Sequence, residues 1–84
     1  MNVSFSYREK LRNFISETTF TDIEKIQENT LLFEEGIFDS LGFLALISFL
    51  TEEFGIEVEN QELNEENFES INAVVEFISR KKQH

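Results

Sequence analysis

Between Leu41 and Leu50 the chain carries no charged residue, and both ends of that run are punctuated. Glu34, Glu35 and Gly36 lie upstream, and Glu52, Glu53, Phe54 and Gly55 close it. The pattern predicts a helix from Ser40 to Phe54, stopped at Gly55 because glycine readily adopts the left-handed conformation that ends helices. At about 100° per residue, Phe43, Leu46, Ile47, Leu50 and Phe54 share one side, which is the expected core face. Leu41, Ala45, Ser48, Phe49 and Glu52 fall opposite, with Gly42 near them and Leu44 toward the flank. Leu41 and Phe49 are large and apolar yet point away from that core face. Either the preceding loop covers them or they form a docking patch for a partner.

Other elements follow from shorter signals. Ser6-Tyr7-Arg8-Glu9 has the form of a capping box, and Tyr7, Leu11, Phe14 and Ile15 recur at helical spacing. A first helix is expected from about Tyr7 to Thr18. The long connection after it carries Ile23, Ile26, Leu31, Leu32, Phe33, Ile37 and Phe38, enough apolar material to pack on the core. Ile56 or Val58 is expected to be buried in the link after Gly55. A helical turn is expected near 64–68. A last helix is expected over 70–81, capped by Ser70, with Ile71, Val74, Val75 and Ile78 on one face. Arg80, Lys81 and Lys82 complement its negative end. The result is an all-α chain, one domain over 1–84. It forms a small bundle of three main helices plus one short helix, with a long first loop.

Composition removes several functions. The 84 residues include no Cys, so there is no disulfide framework, no thiolate metal site and no cysteine nucleophile. Any thiol chemistry has to arrive on a prosthetic group. The single histidine, His84, reads as tail rather than ligand, and leaves no triad to assemble. No metal-binding loop or phosphate-cradling glycine cluster is present, and the chain is too small to wrap a deep substrate cleft, so an enzyme is not expected. No signal pattern or bilayer-length apolar run is seen, which predicts a cytoplasmic protein without membrane insertion. A monomer is expected.

The net charge of −10 is unevenly spread. Lys and Arg stop at Lys25 and resume at Arg80, so every formal charge from Ile26 to Ser79 is negative. Such a field repels nucleic acid and anionic membranes and steers basic proteins.

Ser40 stands where the acidic loop becomes the apolar helix. There a phosphate ester on its hydroxyl would meet free backbone N–H groups and the positive end of the helix dipole. The plainer reading is that Asp39 or Ser40 only caps the helix. The surrounding pattern decides between them. Asp39-Ser40-Leu41 opening the second helix, Glu53-Phe54-Gly55-Ile56 closing it, and Glu66-Asn67-Phe68-Glu69-Ser70-Ile71-Asn72-Ala73 before the last helix resemble acyl and peptidyl carrier proteins from Tyr7 to Lys81.

That resemblance implies that Ser40 bears 4′-phosphopantetheine taken from coenzyme A, whose thiol holds an acyl or aminoacyl group as a thioester. It implies three kinds of partner: a phosphopantetheinyl transferase, an acyl- or aminoacyl-activating ligase, and a downstream acyltransferase or synthase. By the same resemblance Asp39 helps the transferase orient the site and partners approach the second helix. The expected recognition surface is then Asp39 with Leu41, Gly42, Ala45, Phe49 and Glu52 from the face opposite the core. Carriers of fatty acid synthesis often have acidic residues two and five positions after the serine, where this chain has Gly42 and Ala45. Gly36, with Ile37-Phe38 between it and Asp39, is closer to D-alanyl and other stand-alone aminoacyl carriers. The resemblance therefore implies a dedicated aminoacyl or secondary-metabolite pathway. The competing readings are an unmodified acidic helical interaction protein that kept a carrier-like fold, and an unrelated acidic bundle that mimics nucleic acid.

Overall fold

A computed structural model describes residues 3–82, with side chains from residue 6 onward; His84 lies outside the described residues. Four α-helices follow in order: α1 (Val3–Thr19), α2 (Ser40–Phe54), α3 (Glu65–Phe68) and α4 (Ile71–Lys82). Two 3-10 turns, Ile23–Lys25 and Asn60–Glu62, interrupt the connections, and no strand occurs among the described residues. Among the described residues no helix is long and apolar enough to cross a membrane.

α1 begins earlier than its capping signal suggests. Ser6 lies inside the helix, so the Ser-x-x-Glu pattern does not cap it. A cap signal competes with propagation. Once a helix is nucleated each added residue gains a hydrogen bond, and no Pro or Gly stands before Ser6 to stop it. The far end is closed by side chains: Thr19 Oγ1 donates to the Ile15 carbonyl at 2.7 Å and Ser16 Oγ to that of Thr21 at 2.7 Å. α2 ends at Gly55, which is left-handed at φ 67°, as its sequence predicts. Ser70 starts α4, with its Oγ accepting the Ala73 N–H at 3.2 Å.

The buried core draws on all four helices and the long loop. Leu11 and Ile15 come from α1, Leu46 and Leu50 from α2, Phe68 from α3, and Val74 and Ile78 from α4. Ile26, Leu32 and Phe38 come from the long loop. Phe14 and Ile47, both expected inside, are half-buried at its rim. Ile56 is buried and Val58 half-buried, so both residues of that link pack. The loop is fastened along its length. Arg12 donates to the carbonyls of Ile26 (2.8 Å) and Ile23 (2.9 Å), the Leu32 N–H donates to Glu69 O (2.8 Å), and the Asn72 N–H donates to Glu28 O (3.0 Å).

α2 is rotated from its expected setting. Gly42, Leu46, Leu50 and Phe54 are buried, whereas Phe43 and Phe49 lie half-buried on opposite flanks. One flank carries an aromatic series from Phe33 through Phe43 and Phe68 to Phe77, at centroid spacings of 5.7, 5.3 and 5.1 Å. On the other, Phe49 stacks on Phe14 of α1 at 4.2 Å and meets Phe54 edge-on at 5.9 Å. With apolar residues all round, α2 offers no polar stripe from which its rotation can be read. Phe49 is therefore neither open surface nor covered by the long loop; α1 covers it. Phe49→Ala is expected to lower stability by about 1–3 kcal/mol, less than for a fully buried Phe, with chemical denaturation as the measurement.

The basic residues of the two long terminal helices reach toward the acidic middle. Arg8 pairs with Glu28 at 3.2 Å, Lys10 with Glu53 at 3.2 Å and Lys81 with Glu62 at 3.0 Å. The Glu62 carboxylate also accepts the Glu59 N–H at 2.9 Å. That backbone bond first, and Lys81 second, hold the Glu62 pKa below its ordinary 4.5. A depressed carboxylate pKa stabilises the fold above its unfolded value, and the contribution is lost as pH falls through the folded value. Lys81→Met should raise the Glu62 pKa only part of the way to 4.5, because the Glu59 bond remains. Carbonyl-detected NMR titration of the variant measures this, and a full reversion would contradict the order of causes.

Candidate functional site at the start of the second helix

The approach to α2 is held rigidly from inside. Phe38 is buried, its ring edge-on to Phe33 at 5.7 Å, and the N–H groups of Ile37 and Phe38 both donate to the Leu32 carbonyl, at 2.9 and 3.0 Å. Asp39 follows in extended conformation (φ −119°, ψ −170°) and its Oδ1 accepts the Gly42 N–H at 2.9 Å. Asp39 is therefore the cap. Ser40 becomes the first residue of the helix, exposed, with its hydroxyl left over. The backbone amides of Ser40 and Leu41 have no acceptor among the described residues.

Gly42 has a different role from that expected. It is buried, and a Cβ at this position would lie 3.1 Å from Cδ1 of the Phe38 ring. The absence of a side chain lets the loop close over the first turn of α2, so Gly42 shapes the site from beneath rather than presenting a surface. Ala45 is half-buried, and Leu41 is 76 % exposed. Glu52 is exposed but stands roughly 18 Å along the helix axis from Ser40 at 1.5 Å per residue. The fold thus gathers Asp39, Ser40, Leu41 and Ala45 at one end of α2. Gly42 and Phe49 turn inward, and Glu52 stays at the far end.

Two depressions flank this end. One, of about 430 Å³, is lined by Phe33, Asp39, Ser40, Phe43, Leu63, Asn64 and Glu65. The other, of about 570 Å³, is bounded by the end of α1 and includes Phe20, Ile37, Leu41 and Ala45. No Lys or Arg lines either. The contributions of Phe33, Leu63 and Phe20 were not legible in the sequence, since they come from segments without periodicity. For Phe20 alone a signal existed, namely a bulky residue directly after a helix end, where glycine is usual.

The protein family described as "Phosphopantetheine attachment site" matches residues 9–78. A probable acyl carrier protein, PigG, of Serratia sp. (strain ATCC 39006) is 36% identical over 77 residues, spanning 89% of this chain and 87% of that protein. A chain from the crystal structure of an FAD-dependent dehydrogenase superposes with a TM-score of 0.73 at 28% identity, over 81% of this chain and 97% of that chain.

Proposed function

The chain belongs to the family of proteins with a phosphopantetheine attachment site, and from that premise we propose that Ser40 is the attachment point and that the carrier serves a dedicated biosynthetic pathway. It is a carrier protein that bears 4′-phosphopantetheine covalently on a serine, the thiol of the group holding the cargo as a thioester. Members of the family generally leave catalysis to their partners, and the same division is proposed here.

One observation carries the assignment of Ser40: its exposed hydroxyl starts a 15-residue helix beside two unengaged amides. The matched span contains three other serines, and each is less suited. Ser16 Oγ is engaged by Thr21 at 2.7 Å. Ser70 is 8% exposed and caps α4. Ser48 is exposed but sits in mid-helix, where neighbouring amides are consumed by the helix itself.

At Ser40, Oγ acts as the nucleophile on the pantetheine-side phosphorus of coenzyme A. The Oγ–P bond forms as the pyrophosphate P–O bond breaks, adenosine 3′,5′-bisphosphate leaves, and the hydroxyl proton passes to a base of the transferase. The free amides and helix dipole of α2 favour the resulting phosphodiester. With no Lys or Arg in either depression, no ion pair clamps it, which suits an arm that must visit several enzymes.

Beyond Asp39 the first three turns of α2 carry no carboxylate, which supports partners outside fatty acid synthesis. These are an acyl- or aminoacyl-activating ligase and a downstream acyltransferase or synthase. The likeness to a chain from an FAD-dependent dehydrogenase structure adds a flavoenzyme to the proposed partners. A cytoplasmic location is consistent with coenzyme A as donor. Incubation with coenzyme A and a phosphopantetheinyl transferase should add one phosphopantetheine to a peptide containing Ser40, read by intact mass and fragment mapping. Modification mapped to Ser48 would overturn the assignment.

A further inference from the structure

Phe20 bears two unfavourable features at once. It follows the last residue of α1 with φ +57°, the only positive φ outside glycine among the described residues, and its side chain is 94% exposed. Left-handed backbone is disfavoured for a bulky aromatic residue, and an exposed phenyl ring contributes nothing to folding. Glycine would relieve both, and the chain uses glycine at its two other left-handed positions, Gly36 and Gly55. An outlier of this kind, carried by a ring that packs on nothing, points to a role outside the fold.

The position of the ring suggests what that role is. Phe20 forms one wall of the 570 Å³ depression and Leu41, 76% exposed, lies on the other side, with Gly36, Ile37 and Ala45 also lining it. Leu41 is adjacent to Ser40, yet Ser40 lines only the depression on the opposite side. The Phe20 cleft is therefore left clear beside the attachment point. Its only charged lining residue is Asp39, and no basic residue occurs between Ile26 and Ser79. An enzyme that delivers phosphopantetheine here must bind the pyrophosphate and 3′-phosphate of coenzyme A next to Ser40, so its mouth is cationic. That charge complements the carboxylates around the cleft.

We infer that the cleft between Phe20 and Leu41 receives a protruding apolar side chain of the phosphopantetheinyl transferase, whose Lys and Arg residues face Asp39 and the loop carboxylates. The inference rests on Ser40 being the attachment point. Initial rates of transfer from coenzyme A, followed by intact mass, are compared for wild type, Phe20→Gly and Leu41→Ser, with thermal melting of each. Phe20→Gly should melt at or above the wild-type temperature while its kcat/KM falls roughly tenfold, as loss of an apolar anchor predicts. Leu41→Ser should reduce kcat/KM similarly without lowering the melting temperature, and added salt should slow the wild type. Unchanged rates in both variants would overturn the inference, as would a rate loss matched by a lower melting temperature. A wild-type dimer that Phe20→Gly dissolves, seen by sedimentation, would assign the cleft to a second copy. Chemical-shift changes at Phe20 on modification of the isolated chain would assign it to the arm. If the wild type itself gains no mass, or gains it away from Ser40, the attachment assignment fails instead.

Discussion

Ser40→Ala should yield a chain that folds like the wild type and gains no mass from coenzyme A and the transferase. The two halves of that result have separate causes. The cap of α2 is the Asp39 carboxylate on the Gly42 N–H, and Ser40 Oγ makes no hydrogen bond among the described residues. Removing an exposed hydroxyl one residue inside the cap should cost about 1 kcal/mol or less, so circular dichroism and melting should barely move. The chemistry, by contrast, has no substitute. Within the matched span, Ser48 is two helical turns away, and Ser16 and Ser70 are occupied within the fold. Residual modification of the variant at any serine would remove Ser40 from the mechanism. A large loss of helicity would show that Ser40, rather than Asp39, starts the helix.

Ser40 was conspicuous in the sequence because its signals are local. A cap residue, an apolar run and a terminating glycine lie in one continuous stretch, and the structure returns α2 as Ser40–Phe54 with Gly55 left-handed. Ser70 capping α4 belongs to the same class. What failed depends on tertiary partners. The start of α1 moved to Val3 because no helix-stopping residue opposed propagation. The rotation of α2 depends on the long loop and α1 covering its two flanks, and this turned Phe49 inward onto Phe14 and Gly42 under Phe38. Phe20 belongs to no periodic pattern. Its significance lies in a backbone angle and an exposure, neither of which a string of residues displays. Surface roles were thus the least legible, since a helix with apolar residues on every side can present either Leu41 or Phe49.

Leu50→Ala provides the converse test, a variant that keeps the site and weakens the fold. Leu50 is fully buried in the segment of α2 that also buries Leu46 and Phe54, within the cluster that joins α1, the loop, α3 and α4. Deleting its branched end leaves a cavity that an apolar cluster assembled from all these segments can close only in part. The expected cost is about 2–5 kcal/mol, against total stabilities of about 5–15 kcal/mol for native domains. For a chain of this size that corresponds to a fall of roughly 10–30 °C in melting temperature. Modification should nevertheless reach completion wherever the variant remains mostly folded, because the first turn of α2, the Asp39 cap and the Ser40 hydroxyl are untouched. A loss of about 3 kcal/mol from about 6 still leaves well over nine-tenths of the chains native at 25 °C. An unchanged melting temperature would mean that α2 does not seat on the core through Leu50. A normal melting temperature with failed modification would mean that Leu50 sets the position of Ser40 rather than the stability of the helix that carries it.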